Sequence, residues 1–343
     1  MDTKVLKAEP ASIKAAAELI RAGEVVGFPT ETVYGLGADA LNADAVRKIF
    51  EAKGRPGDNP LIVHIADIGA IDRLIEGALP ESARRLAQAY WPGPLTMILP
   101  KSKLIPKEVS AGLETVGIRM PSHPVARALI AQAGTPIAAP SANLSGRPSP
   151  TQASHVFSDM AGRIALILDG GACAVGVEST VLDVLCDPVR ILRPGGVTAE
   201  MIAQVLGRVT VDESVMRPLG KGEVARSPGM KYKHYAPRGH LTIVRGAGAP
   251  EAIARMYDAA LGQGETPLIL GLDAHIGGYG ARAVLALGDG AQEAAARLFS
   301  ALREADELGA TRIFSEAVAQ AGVGLAVMNR MGRAAAFDVV EVG

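Results

Sequence analysis

Four short loops of this 343-residue chain place cationic or hydroxyl-bearing side chains beside proline or glycine. They span residues 29–35 (PTETVYG), 53–60 (KGRPGDNP), 140–148 (PSANLSGRP) and 176–180 (GVEST). Three of them adjoin predicted strands, and loops at strand ends are where α/β folds bind ligands. Fixed guanidinium, ammonium and hydroxyl groups are suited to bind carboxylates and phosphates. The loops therefore predict an anion-binding site.

Arginines that stand one or two residues before a proline strengthen this prediction. The residue before a proline is held extended, which limits the directions its side chain can take. Arg119 and Arg193 also end apolar segments, where an unpaired charge would be costly. Any one of these arginines could instead pair with Asp or Glu, but the set favours an anion site. Its members are Arg55, Arg119, Arg147, Arg193 and Arg217.

Standard fingerprints of other sites are missing from the sequence. It contains no P-loop, HExxH or GxSxG motif. Gly35-Leu-Gly37 and Gly246-Ala-Gly248 approach the dinucleotide fingerprint but lack its third glycine, and we interpret them as ordinary strand-to-loop glycines. The six histidines show no ligand spacing, so no protein metal site is predicted. His64 interrupts an apolar strand and, taken alone, indicates a buried core residue.

The alternation of strands and helices predicts an α/β fold in two domains. Residues 1–208 contain many short strands with interleaved helices, which favours a mixed sheet. Residues 209–238 are rich in proline and glycine and are predicted to be a linker. Residues 239–343 return to strand–helix alternation, which indicates a smaller, Rossmann-like parallel α/β domain.

Composition and charge count against two kinds of partner. The net charge is -1 and aromatics make up 4%, so neither nucleic acid nor an anionic membrane is favoured as a partner. Two cysteines without CxxC spacing and an N-terminus without an apolar signal region lead us to expect a cytoplasmic protein.

Residues 226–238 carry four basic side chains and no acidic one. This stretch is either a solvated tether or a lid over a bound anion, with Tyr232 or Tyr235 against a base or ribose.

The chain contains a series of separated motifs: FPTETVYGLG (28–37), KGRP with NPLIVHI (53–65), WPGPLT (91–96), GIRMPSHP (117–124), PSANLSG (140–146), ESTV (178–181), ILRPG (191–195) and SPGMKYKHYAP (227–237). Taken together, these motifs resemble the threonylcarbamoyl-AMP synthase family in its longer, two-domain form. The resemblance implies a YrdC-like twisted mixed sheet in the first domain and extends over nearly the whole chain. It also implies an enzyme, a nucleotidyltransferase that condenses L-threonine, bicarbonate and ATP to threonylcarbamoyl-AMP and pyrophosphate.

The resemblance also implies roles for individual residues. Lys53 and Arg55 would be catalytic and face the ATP phosphates. Some relatives carry a hydroxyl where this chain has Ala139, so a threonine contact there would be apolar or through the backbone. The implied ATP-binding residues are Arg55, Asn59, Thr115, Ser141, Asn143, Ser149, Arg193 and, from the linker, Tyr235. The implied threonine-binding residues are Thr32, His64, Arg119, Ala139 and Ser179.

Mg²⁺ is the cofactor that the resemblance implies, bound together with ATP as substrate. The product would pass to a downstream complex that transfers threonylcarbamoyl to tRNA, and tRNA itself would not be needed for this step. No membrane partner is expected. Two alternatives stay open: an RNA-binding module, and a carbamoyl transferase that also carries a YrdC-like domain. The second would be expected to bring cysteine clusters, and this chain has only two cysteines.

Overall fold

A computed structural model describes residues 2–217 and 234–343. The part of the predicted linker that includes Arg226, Lys231, Tyr232 and Lys233 lies outside these residues. The described chain divides into two compact units. The first consists of residues 2–145 and 149–215, and the second of residues 146–148, 216–217 and 234–343. The domain boundaries at 208 and 238 stay a prediction.

The first unit has a mixed sheet of eleven strands among its described residues. Their order across the sheet is β1-β8-β2-β3-β7-β4-β6-β5-β9-β10-β11, with both parallel and antiparallel neighbours. This confirms the predicted mixed sheet. The strands are β1 (Lys4–Lys7), β2 (Val26–Phe28), β3 (Gly35–Asp39), β4 (Ile62–His64), β5 (Leu95–Pro100), β6 (Thr115–Arg119), β7 (Ile137–Ala139), β8 (Leu166–Asp169), β9 (Thr180–Asp183), β10 (Val189–Arg193) and β11 (Val209–Val211).

Helices cover this sheet and bury their apolar faces against it. Asn42 begins α2 by accepting hydrogen bonds from two backbone N–H groups, and the helix ends at Gly54, whose φ of 60° suits glycine. The end of α2 matters because it places Lys53 beside the site. The helices are α1 (Pro10–Arg21), α2 (Ala43–Lys53), α3 (Glu81–Tyr90), α4 (Lys107–Ser110), α5 (Pro124–Ala133), α6 (Ala153–Met160) and α7 (Ala199–Leu206).

Three strands of the first unit were not predicted: β1, β3 and β11. Residues 35–39 (GLGAD) resemble a loop in composition, yet they form β3 between β2 and β7. A Cβ at Gly37 would lie 2.7 Å from the ring of Phe28, so this strand requires glycine to accept the ring. Residues 209–211, which the sequence predicts to be part of the linker, pair in parallel with β10 and form β11.

The second unit contains a five-stranded sheet in which every pair is parallel. The strand order is β14-β13-β15-β12-β16, and this confirms the predicted parallel α/β fold. In the described part of the chain, no helix is long and apolar enough to cross a membrane. The elements are β12 (His240–Arg245), α8 (Ala249–Gly262), β13 (Pro267–Gly271), α9 (Asp273–Ile276), β14 (Val284–Ala286), α10 (Ala291–Glu307), β15 (Arg312–Glu316), α11 (Gly324–Ala334) and β16 (Val339–Glu341).

Candidate active site

Arg119 lies at the centre of a buried polar cluster in the first unit. It ends β6 and is only 4% exposed. Its Nη1 donates to Thr32 Oγ1 at 3.0 Å, and its Nε donates to the carbonyl oxygen of Gly93 at 3.4 Å. Its Nη2 lies 2.7 Å from Glu31 Oε1 in a buried ion pair. The structure therefore brings Thr32 and Arg119 together and adds a carboxylate that the sequence motifs did not single out.

Glu31 is ionised in this cluster. Burial on its own would raise the pKa of the carboxyl, but the Arg119 guanidinium and nearby backbone N–H groups favour the charged form and hold the pKa below its usual value. His64, His123 and Cys173 are the other titratable groups within electrostatic reach. Burial raises the pKa of Cys173 to about 12, so its thiol is protonated at neutral pH.

His64 is a neutral imidazole beside this cluster. It ends β4, where it pairs with Arg119 on the neighbouring parallel strand. Burial lowers the pKa of His64 to about 3, and the Arg119 charge contributes to the decrease. Nδ1 lies 3.3 Å from the carbonyl oxygen of Ile137. A carbonyl can only accept, so Nδ1 carries the proton and Nε2 is the acceptor.

A second polar group adjoins Arg119 on the next strands. Thr96 of β5 pairs with Arg119 in the sheet register, and its hydroxyl lies 2.8 Å from Ser179 Oγ. Arg193, at the end of β10, donates two hydrogen bonds to the same serine. Its Nη2 donates to Ser179 Oγ at 3.2 Å, and its Nε donates to the serine carbonyl at 3.1 Å. Ser179 thus links the predicted threonine residues to Arg193, a predicted ATP residue.

The third group gathers around the end of α2. Lys53 is 3% exposed, and its Nζ donates to the carbonyl oxygens of Ser141 and Asn143 at 2.5 and 2.6 Å. Ser141 Oγ in turn donates to Asn143 Oδ1 at 2.5 Å. The Ala142 N–H donates to the carbonyl of Tyr34 at 2.8 Å, which ties this loop to the loop that carries Thr32.

Arg55 and Asn59 lie in the loop that follows α2. Arg55 Nη2 donates to the Asn59 carbonyl at 2.9 Å and stacks over the ring of Phe50. The Asn59 side chain is fully buried, yet neither atom of its amide has a hydrogen-bond partner among the described residues. Unsatisfied buried polar groups are rare and costly, so this amide points to a ligand.

The remaining predicted residues are less central. Ser149 is buried and donates to Glu178 Oε1 at 2.5 Å. Ala139 is the last residue of β7, and its methyl side chain is buried. Thr115 begins β6, so about 13 Å of strand separates it from Arg119. The structure does not bring Thr115 into the Arg119 cluster; it lines a small pocket with Pro60 instead.

Tyr235 belongs to the second unit. It is buried, has a φ of 64° and packs on the rings of His234 and Phe299. Its predicted contact with ATP stays a prediction.

Sequence reasoning missed three residues of these clusters: Glu31, Thr96 and Glu178. All three stand inside the quoted motifs. Glu31 is the one whose type carries a signal, because an acidic residue in a hydroxyl-rich loop after a buried strand needs a cationic partner. Thr96 is indistinguishable from an ordinary strand threonine in sequence. Its role appears only in the folded sheet, where β5 lies between β6 and β9 and the Thr96 hydroxyl contacts Ser179 Oγ.

The second unit has its own crevice, of about 510 Å³, at the ends of β12 and β15. Glu316 lies there, and its oxygens accept hydrogen bonds from Tyr279 Oη at 2.7 Å, the Leu272 N–H at 3.1 Å and His275 Nδ1 at 2.5 Å. A Cβ at Gly246 would lie 1.7 Å from the Val342 carbonyl oxygen. This close approach of the backbone explains Gly246, as expected for a structural glycine.

Two family models match this chain and define the class of protein to which it belongs. The family model described as "Telomere recombination" (Sua5, YciO and YrdC) matches residues 18–195. A second model, "Threonylcarbamoyl-AMP synthase, C-terminal domain", matches residues 197–336. Together the two models cover every strand of the eleven-stranded sheet except β1 and every strand of the parallel sheet except β16.

Individual relatives narrow this class. The threonylcarbamoyl-AMP synthase of Bacillus subtilis (strain 168) is 50% identical over 342 residues, which are 99% of this chain and 97% of that protein. The threonylcarbamoyl-AMP synthase of Pyrococcus abyssi (strain GE5 / Orsay) is 46% identical over 96% of both chains. A crystal structure of P. abyssi Sua5 complexed with L-threonine has a TM-score of 0.93 and 44% identity, covering 100% of this chain and 99% of that chain. This chain belongs to the threonylcarbamoyl-AMP synthase family.

Proposed function

We propose that the first unit condenses L-threonine, bicarbonate and ATP to threonylcarbamoyl-AMP and pyrophosphate. The enzyme class and the product are those of the family to which the chain belongs. The observation that supports this most is the position of Ser179, which hydrogen bonds to Arg193 and Thr96 next to Arg119. This arrangement sets a carboxylate-binding arginine beside an arginine suited to phosphate.

L-Threonine binds at the Arg119 cluster in this proposal. The forked guanidinium of Arg119 would hold the substrate carboxylate. Thr32 and the Nε2 acceptor of His64 would take up hydroxyl or amine hydrogens of the substrate, and Ser179 completes the polar wall. Ala139 presents only its methyl group and backbone to the site. The solved structure of P. abyssi Sua5 with L-threonine supports L-threonine as the amino acid substrate.

ATP binds at Lys53, Arg55, Asn59, Ser141, Asn143 and Arg193 in this proposal. Forming the adenylate brings an anionic carbamate to an anionic phosphate, and fixed cations offset that repulsion and the charge of the pyrophosphate. Lys53 is suited to this role because two backbone carbonyls hold its ammonium in place. Ser149, Thr115 and Tyr235 stay as further predicted nucleotide contacts.

Mg²⁺ is proposed to enter with ATP. Mg²⁺ is usually held by one or two carboxylates together with substrate phosphates. The described residues contain no group of three His, Cys, Asp or Glu side chains that could hold a metal ion. Glu178, buried beside Ser149, is the carboxylate of the described site that could contribute. Bound to ATP, the ion would supply charge neutralisation at the phosphates.

Bicarbonate is the third proposed substrate, and the product is proposed to serve a downstream tRNA threonylcarbamoyl-transfer complex. Relatives that match nearly the whole chain are named as synthases, so the RNA-binding and carbamoyl-transferase alternatives receive no support.

Mass spectrometry of the reaction products tests this function. The full chain is incubated with ATP, Mg²⁺, bicarbonate and threonine without tRNA, and each substrate is omitted in turn. We expect pyrophosphate and a mass corresponding to threonylcarbamoyl-AMP only when all three substrates are present. Formation of adenylate without bicarbonate, or no adenylate while ATP still binds, would refute the proposal.

A further inference from the structure

Glu31 is a buried carboxylate whose oxygens can accept further hydrogen bonds. Only 8% of the residue is exposed, and neither carboxylate oxygen accepts a well-aligned hydrogen bond from a described residue. The contact with Arg119 Nη2, 2.7 Å long, is a charge pair, and the backbone N–H groups of Glu31 and Ser122 stabilise the charge without making a well-aligned hydrogen bond to either oxygen. A buried carboxylate normally fills its acceptor sites, because removing it from water without partners is costly. Glu31 is therefore prepared to accept hydrogens from a ligand.

Arg119 has N–H groups that can donate further hydrogen bonds. A guanidinium carries five N–H bonds. Two of them donate hydrogen bonds, to the Gly93 carbonyl and to Thr32 Oγ1. Nη2 lies 2.7 Å from Glu31 Oε1 but makes no well-aligned hydrogen bond to a described residue, so its two N–H groups can still bind an acceptor. Such a pair of N–H groups matches the two oxygens of a carboxylate.

A carboxylate alone would fit poorly here. It would share one guanidinium with Glu31, and two like charges at close range repel each other. An α-amino acid avoids this conflict, since its ammonium lies one carbon away from its carboxylate. With the carboxylate on Arg119, the ammonium lies within a few ångströms of the paired Glu31.

We propose that Glu31 binds the α-ammonium group of the amino acid substrate, so that the Arg119–Glu31 pair recognises a zwitterion. This inference rests on the proposed threonine site. It makes Glu31 a binding residue that selects an amino acid over a hydroxy acid of the same shape. After carbamoylation the nitrogen is uncharged but keeps one N–H, which Glu31 can still accept.

A purely structural role for Glu31 makes the opposite prediction. If Glu31 only neutralises Arg119, then removing its charge frees the guanidinium, and every carboxylate ligand binds more tightly. The two roles therefore differ in sign, and Glu31→Gln separates them because it removes the charge and keeps the shape.

The experiment is isothermal titration calorimetry of the full chain with L-threonine and with 2,3-dihydroxybutyrate, the analogue in which a hydroxyl replaces the ammonium. For Glu31→Gln we expect a loss of threonine affinity of about 10- to 100-fold and an unchanged or higher affinity for the hydroxy acid. Glu31→Asp, which keeps the charge, should recover part of the loss. ATP affinity, measured in the same preparation, confirms that the variant is folded.

Glu316→Gln is the matched control, since it removes another buried carboxylate but lies in the second unit. It should bind threonine as the unmodified chain does. Threonine affinity in Glu31→Gln that is unchanged or higher would overturn the inference, and so would an equal loss for both ligands. If the unmodified chain binds no threonine at all, the proposed function fails instead.

Discussion

The active-site cluster of the first unit and the Glu316 crevice of the second unit look alike in composition but differ in how their polar groups are satisfied. Both have a buried glutamate beside a histidine. In the crevice, the two oxygens of Glu316 accept three hydrogen bonds from Tyr279, Leu272 and His275. In the active site, the carboxylate of Glu31 and the amide of Asn59 have no well-aligned partner among the described residues.

This difference indicates that the Glu316 cluster is a structural hydrogen-bond network and that the active-site cluster is a binding site. A fully satisfied network contributes to stability and leaves nothing for a ligand. Unsatisfied buried groups reduce stability in the free protein and are satisfied when a substrate binds. Substitutions in the first unit should therefore lower function, whereas Glu316→Gln in the second unit should lower stability alone.

Arg119→Ala should have the largest effect. It removes the proposed carboxylate partner of threonine and leaves Glu31 buried without its counter-charge, which costs about 3–5 kcal/mol of unfolding free energy. We expect kcat/KM for threonine to fall by about 10³-fold. Steady-state kinetics and chemical denaturation measure the two effects.

The double variant Arg119→Ala, Glu31→Ala controls for the stability effect. It should unfold at higher denaturant concentration than Arg119→Ala alone, because the lone buried charge is gone. Equal stability of the single and double variants would mean that the pair is not desolvated.

Glu316→Gln should destabilise the protein without affecting catalysis. The amide can replace only part of the three hydrogen bonds, so we expect a loss of about 1–3 kcal/mol. Thermal unfolding and steady-state kinetics provide the two measurements. A large decrease in kcat would show that the crevice takes part in the reaction.

Asn59→Ala should behave in the opposite way. Because its amide is buried and unpartnered in the free protein, its removal should change the unfolding free energy by less than about 1 kcal/mol. ATP affinity should fall by about tenfold, as a lost hydrogen bond of roughly 1.4 kcal/mol implies. Calorimetric titration with ATP is the measurement, and an unchanged affinity would remove Asn59 from the nucleotide site.

Acidification should reveal the buried neutral His64. Its folded pKa, about 3, lies below its ordinary value of 6.5, so the unfolded state binds the extra proton first. This group therefore lowers stability as the pH falls from about 6.5 towards 3, by at most about 1.4 kcal/mol per pH unit. His64→Gln should make the pH dependence of the unfolding free energy shallower, and an identical slope in both proteins would contradict the assigned charge state.

The fold could be predicted where side chains follow a clear period. The helix that begins after Asn42 and the alternating elements of the second unit are of this kind. β3 could not be predicted from the local propensity of its residues. Its glycines are required because the ring of Phe28, on the neighbouring strand β2, occupies the space where a Cβ would lie. β11 was missed for a similar reason: residues 209–211 form a strand only because β10 is there to pair with them.

The site, like the fold, could be predicted only in part. Arg119, Lys53 and Arg193 could be singled out because their charges stand in unusual places, at strand or helix ends beside hydroxyl-rich loops. The ion pair with Glu31 and the contact of Thr96 with Ser179 depend on which strands are neighbours. That information is long-range, and no spacing in the sequence contains it.

Incorporation of [¹³C]bicarbonate into the adenylate is the most direct test of the central claim, that the unsatisfied cluster of the first unit is the active site. The unmodified chain, Arg119→Ala and Glu316→Gln are compared under identical conditions by mass spectrometry. The account predicts labelled threonylcarbamoyl-AMP at similar rates from the unmodified chain and Glu316→Gln, and at least about 100-fold more slowly from folded Arg119→Ala. Equal rates from all three proteins, or loss of label only in Glu316→Gln, would contradict it.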